Sequence, residues 1–222
     1  MILAPGRLQA GIDRTWVWTS RGRGRIDRLA LWLGSAANAN HARRFVRIPP
    51  SISEEAKVVS GGRPIQSGNP LPTLTPKTPH RGEFVTILDA ALVESGLAPD
   101  WLESVSKSDE FTWSVVEGRR PQIHHKKPLE INNTNNALLV QATGRIVALA
   151  HMNLTLDTVD QVVEMCLEND ISRMTVRVSL APELQPKIQG AFDRQLSRRH
   201  GRREAFLVQR PGIETLLICI VE

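Results

Sequence analysis

Between Arg145 and Val221 the spacing of apolar residues switches repeatedly between the period of a strand and that of a helix, and that succession leaves few folds open. Residues 145–149 form a short apolar run. Asp157 then reads as a helix N-cap, and Val159, Val162, Val163, Cys166 and Leu167 follow at i, i+3, i+4, i+7 and i+8 on one face. Met174, Val176, Val178 and Leu180 alternate with Thr175, Arg177 and Ser179, the two-residue period of a half-buried strand. Pro182 suits the first turn of a second helix, whose inward residues are Leu184, Ile188, Ala191, Phe192 and Leu196. Residues 205–209 and 213–221 close the chain as strands around Arg210-Pro211-Gly212. Strand, helix, strand, helix, strand, strand predicts an α+β sandwich, an open sheet with its helices on one face.

Upstream the pattern is less regular. Apolar runs at 137–140 and 145–149, joined through Thr143-Gly144, predict a hairpin. A helix is expected over 83–96, with Phe84, Ile87, Leu88, Ala91 and Leu92 on one face and Gly96 as its stop. Pro99-Asp100-Trp101-Leu102 opens a shorter helix, and aromatic and β-branched residues over 111–116 predict a strand. Half of the prolines fall between Pro49 and Pro79, interleaved with Gly61, Gly62 and Gly68, the composition of an extended linker. Before it come Trp16-Val17-Trp18, the run Arg21-Gly22-Arg23-Gly24-Arg25, and Ile26, Leu29, Ala30 and Leu33 at helical spacing. The expected organisation is thus a basic arm with a short amphipathic helix (1–48), a Pro/Gly-rich linker (49–82) and an α/β body (83–222), with 137–222 its most regular part.

A chain of 222 residues is long enough to bury its own core. It has no apolar stretch of membrane-spanning length and no compact apolar segment of a secretory signal at its start. Cys166 and Cys219 both sit within apolar periodic segments, where free buried thiols are expected, which points to the cytoplasm or the mitochondrial matrix and away from secretion. Charge is placed unevenly. Residues 1–48 hold nine arginines and no lysine against Asp13 and Asp27, a local net of +7 in a chain whose total is +5. Guanidinium forks suit phosphate, because each can hold two oxygens at once. The same composition also fits a basic surface helix or an organelle transit segment.

Two further basic groups stand out. Lys187, Arg194 and Arg198 align along one flank of the second helix of the sandwich, which runs into Arg198-Arg199-His200-Gly201-Arg202-Arg203. A helix dipole favours cations at a C-terminus. It does not require four arginines within six residues, and such a cluster can neutralise several phosphates. The second group is Arg119 and Arg120 with Lys126 and Lys127, flanking His124 and His125. With Arg21, Arg23 and Arg25 of the arm, these are the candidate nucleic-acid-binding residues. No P-loop, dinucleotide glycine fingerprint, Cys-x-x-Cys pair or nucleophile elbow is present, so no catalytic residue, metal ligand or cofactor is expected.

The order over residues 145–221 resembles the C-terminal, ribosome-binding domain of bacterial-type translation initiation factor three. The resemblance rests on the helix after Asp157-Thr158, the alternating strand Met174-Thr175-Val176-Arg177-Val178, Pro182-Glu183-Leu184 at the second helix, and the closing strands. It implies binding of ribosomal RNA without catalysis. Residues 119–151 resemble in part the HNH nucleases, with His124 in the place of a metal ligand and His125 in that of the general base. That motif continues through a glycine-rich turn and two further histidines; here the turn is Asn132-Asn133-Thr134-Asn135-Asn136, and His151 alone follows. The leading expectation is a non-catalytic nucleic-acid-binding protein tied to RNA and translation. The alternatives are an HNH-like metal-dependent nuclease and a structural component of a viral or ribosomal particle, which residues 1–82 would contact.

Overall fold

The computed structural model describes residues 12–22, 24–61, 72–74, 79–106, 111–131, 134–198, 201–209 and 214–221. They form an α+β fold with two sheets. The smaller sheet comprises β1 (Arg14–Ser20), β2 (Arg28–Leu33), β3 (Arg43–Arg47) and β4 (Lys57–Gly61) in the order β2-β1-β3-β4. The larger comprises β5 (Phe84–Leu88), β6 (Phe111–Val115), β7 (Gln122–His125), β8 (Val140–Ala150), β9 (Ile171–Val176), β10 (Arg203–Gln209) and β11 (Leu216–Val221), in the order β6-β7-β5-β8-β11-β10-β9. The helices are α1 (Ala90–Glu94), α2 (Ala98–Val105), α3 (Thr134–Ala137), α4 (Val159–Glu168) and α5 (Gln185–Leu196). None of the described helices is long and apolar enough to cross a membrane.

From β8 onward the chain follows the order expected from its periodicity: β8, α4, β9, α5, β10, β11. Helices α4 and α5 pack on one face of this sheet, where Val162, Cys166, Ile188 and Phe192 meet Met174, Val176, Leu207 and Ile218. On the opposite face Phe206, Val208, Leu217 and Cys219 pack with Val85 and Ile87 of β5. Both cysteines are buried and free. Outer strand β9 is sealed by α5: the Val176 N–H donates to Gln189 Oε1 (2.9 Å), and Gln189 Nε2 and Gln185 Nε2 donate to the carbonyls of Met174 and Val176. An outer strand left open would template pairing with another chain. Two boundaries shift. The N-cap of α4 is Thr158, not Asp157, and α5 begins at Gln185, three residues after Pro182.

The N-terminal expectations need larger corrections. Residues 14–47 are not an irregular arm but three strands, and the expected helix over residues 26–33 is strand β2. Every residue of β2 from Arg28 to Leu33 pairs with β1. The Trp-Val-Trp segment of β1 supplies a strongly β-forming partner, and that ladder overrides a helical spacing which Leu31 and Trp32 already blur. Residues 49–82 do not hold the two parts at a distance: Lys57–Gly61 is strand β4 on β3, and Trp18 and Phe45 pack into one core with Leu92, Leu97 and Leu102.

Residues 83–96 split into β5 and α1 instead of one helix. β5 lies between β7 and β8 and is buried throughout, so its apolar run shows no alternation and coincides with helical spacing. Asp89 marks the change, accepting a hydrogen bond from the Ala91 N–H as N-cap of α1. The expected α2 and β6 are present. The hairpin expected at Thr143-Gly144 is instead the middle of one eleven-residue strand, β8. Glycine is needed there for close approach: a Cβ on Gly144 would lie 2.2 Å from the Ile220 carbonyl oxygen and 2.8 Å from the Phe206 ring. β8 pairs with β5 through residues 140–145 and with β11 through residues 144–150, so it carries both halves of the sheet.

Candidate functional site

In a flat sheet β7 and β9, with β5, β8, β11 and β10 between them, would lie about 24 Å apart at the usual strand spacing. The Arg120 side chain, just before β7, nonetheless donates from Nη1 to the carbonyl of Val178, just after β9, at 2.7 Å. The sheet therefore curls until the β6–β7 turn meets the segment leading into α5, and a cleft opens where they meet. It has two adjoining lobes of about 360 and 520 Å³ that share Arg119, Arg120, Val178 and Ser179. Arg177 and Gln122 line the first; Pro182, Gln185 and Pro186 line the second.

The turn that supplies Arg119 and Arg120 is held from behind. Gln141 of β8 donates from Nε2 to the carbonyls of Leu88 (2.8 Å) and Arg119 (2.9 Å). Gly24, with φ of +67°, lies so close that a Cβ there would be 2.8 Å from the Arg119 oxygen. The chain at Gly24 thus abuts Arg119, although almost a hundred residues separate them.

Three guanidinium groups converge on this cleft with no acid paired to them. Among the described residues no carboxylate lies within ion-pair distance of Arg119, Arg120 or Arg177, whereas Arg47 and Arg173 pair with Asp89 and Glu204. Burial lowers the Arg120 pKa from its ordinary value, and the nearby charges of Arg177 and Arg119 lower it further. Burial lowers that of Arg177 as well. Arg177 Nε is buried without a hydrogen-bond partner, as is Oε1 of Gln122, a residue only 4% exposed. Buried polar atoms are normally satisfied; the Nε atoms of Arg43 and Arg44 are also left over, but only here, among the described residues, do a donor and an acceptor of this kind line the same cleft. Exposed Glu117 also lines the first lobe, and it is the acid an incoming anion must pass.

The remaining candidates do not gather here. Arg21 lines a separate pocket with Pro49, Pro50 and Glu54. Arg25 is exposed beside Gly24, and Lys187 is exposed next to the cleft residue Pro186. Lys126 and Lys127 follow the far end of β7, roughly 20 Å along the strand from Arg120. Exposed Arg194, Arg198, Arg202 and Arg203 lie at the other end of α5 and β9: Arg203 pairs with Ile171, roughly 20 Å from Arg177. Arg173 and Glu204 form an exposed ion pair of 3.2 Å beside them, so that patch is mixed in sign. Arg23 and Arg199 lie outside the described residues.

The histidine pair is buried, His124 to 5% and His125 to 3% exposure. His125 Nδ1 lies 2.6 Å from the Lys127 carbonyl, which can only accept, so Nδ1 carries the proton. Nε2 then accepts from the Thr86 hydroxyl at 2.8 Å, and Thr86 in turn accepts from Thr143. The ring stacks on Phe84, and burial lowers its pKa. Neither nitrogen of His125 is open to a water. His151 is on another part of the sheet, bonded to Thr215. Among the described residues, no three His, Cys, Asp or Glu side chains are grouped to hold a metal ion.

Much of the N-terminal charge serves the fold. Arg47 pairs with Asp89 (3.6 Å) and donates to the carbonyls of Leu138 and Ile48; Arg43 donates to the Ser95 carbonyl; Arg44 lies over the Trp32 ring. Sequence reasoning missed Arg177 and Gln122. Arg177 reads only as the outward residue of an alternating strand, and no local signal links it to a turn nearly sixty residues earlier.

No family model and no curated protein matches the chain. Among solved structures it is similar to a "putative methyltransferase from Porphyromonas gingivalis W83", with 9% identity and a TM-score of 0.49, over 95% of this chain and 45% of that one. The chain thus spans less than half the length of that protein.

Proposed function

We infer that the protein binds RNA without catalysing a reaction on it, and that the arginine cleft is where the phosphate backbone is held. The observation that carries this reading is the convergence of Arg119, Arg120 and Arg177 with no paired acid among the described residues. A guanidinium whose charge is made costly by burial and by like neighbours gains most from an anion, and phosphate supplies both the charge and the acceptor oxygens. The order β8-α4-β9-α5-β10-β11 is that of the ribosome-binding domain which residues 145–221 resemble, and it supports a partner of ribosomal type. The exposed arginines at the end of α5 add a second, mixed patch that contributes to attraction more than to positioning.

Salt dependence tests this directly, because every phosphate that the protein neutralises adds about one unit to the slope of log affinity against log salt. Arg119→Ala with Arg120→Ala should flatten the slope for single-stranded RNA by up to about two units. Replacing Arg198, Arg199, Arg202 and Arg203 together should flatten it by up to about four. A cleft variant with the wild-type slope would overturn the assignment.

A further inference from the structure

We propose that the cleft formed by Arg119, Arg120, Arg177 and Gln122 is a receptor for a terminal phosphomonoester, the phosphorylated end of an RNA strand. This rests on the RNA-binding reading and adds to it which chemical group of the RNA is recognised.

The charge balance points to an end. A phosphodiester within a strand carries one negative charge, whereas a monoester at neutral pH carries nearly two and presents three strong acceptor oxygens. Three guanidiniums with no ion-paired acid among the described residues, less the one charge of Glu117 in the same lobe, leave a net of about two positive charges, more than a diester neutralises and equal to what a monoester carries. The geometry agrees. The adjoining lobes of about 360 and 520 Å³ have room for a phosphate together with the nucleoside attached to it. The unpartnered Arg177 Nε–H is a donor for a phosphate oxygen. The unpartnered Gln122 Oε1 is an acceptor, which phosphate cannot satisfy but a sugar hydroxyl or an exocyclic base amine can. A donor set for phosphate beside a buried acceptor for the attached nucleoside is what a terminal nucleotide requires. Val115, Val178, Leu180 and Pro182 add apolar surface along the cleft walls. Glu117 at the first lobe works against the phosphate, and its neutral amide should strengthen binding.

The test uses the full chain and one short single-stranded RNA made in three forms: 5′-phosphorylated, 3′-phosphorylated, and hydroxyl at both ends. One of the phosphorylated forms should bind at least about tenfold more tightly than the hydroxyl form, the worth of one charge-assisted hydrogen bond, and which one it is identifies the end recognised. Arg177→Gln should remove that preference, so that the phosphorylated and hydroxyl forms bind alike, in a variant whose circular dichroism matches the wild type; Arg119→Gln, exposed on the β6–β7 turn, should weaken the preference in the same direction. Glu117→Gln should enlarge it. Equal binding of all three forms would overturn the terminal-phosphate proposal and leave RNA binding standing, whereas no binding of any form at low salt would overturn both.

Discussion

Arg47 and Arg177 are both half-buried arginines at the end of a strand, yet their surroundings differ in one respect that decides their roles. Arg47 meets a carboxylate, Asp89, itself 1% exposed and further held by the Ser20 hydroxyl at 2.6 Å, so its charge is compensated within the fold. Arg177 meets no acid among the described residues, and its Nε has no partner. The first is a rivet between the two sheets; the second is available to a ligand. His125 falls on the structural side of the same divide. An unfolded chain takes up a proton on this imidazole near pH 6.5, whereas burial keeps the folded form neutral to lower pH. Between those two values the unfolded state binds the extra proton, so stability falls as pH is lowered through that window. Denaturant titrations at about pH 7 and about pH 5 should therefore show a larger loss for the wild type than for His125→Gln. An identical loss in both would mean that the ring is not held neutral.

At the scale of elements, the long strand β8 decides the architecture, because it pairs with β5 at one end and β11 at the other. Gly144, where the two partners overlap, has the Ile220 carbonyl and the Phe206 ring against it. Gly144→Ala forces a methyl into occupied space, a cost of about 1 to 3 kcal/mol for overpacking. For a chain of this size that lowers the melting temperature by several degrees, and calorimetry showing no change would refute the close approach. The same strand shows what can be read from sequence. Thr143-Gly144 looks like a hairpin because glycine between two apolar runs is a turn signal. Whether that glycine turns the chain or admits a neighbour depends on β10 and β11, which lie far along the sequence. β9, α4 and α5 are legible because each has one buried and one exposed face, and hence a period. β5 is not, because it is covered on both faces. β2 misleads for a related reason: its pairing with β1 is a tertiary fact that its own spacing does not carry.

Over the whole molecule, the basic segments of the sequence do not merge into one patch. Curling of the large sheet brings Arg119, Arg120 and Arg177 together, with Gly24 and its neighbour Arg25 set beside them. It leaves Arg198, Arg202 and Arg203 at the opposite end of β9 and Lys126 and Lys127 at the opposite end of β7. Arg43, Arg44 and Arg47 are taken up inside the fold. Counting charge along the chain finds the right residue type and half of the cleft, Arg119 and Arg120. It cannot find Arg177 or Gln122, since the curl that unites them is a property of the whole seven-stranded sheet and of no single segment. Photo-crosslinking of the intact protein to single-stranded RNA, with the attached peptides identified by mass spectrometry, maps which of these basic regions touches the strand. Crosslinks should concentrate in residues 117–122 and 177–189, which line the cleft from its two sides. Crosslinks confined to Lys126 and Lys127, or to the arginines beyond α5, with the cleft segments unmarked, would contradict the cleft as the RNA site.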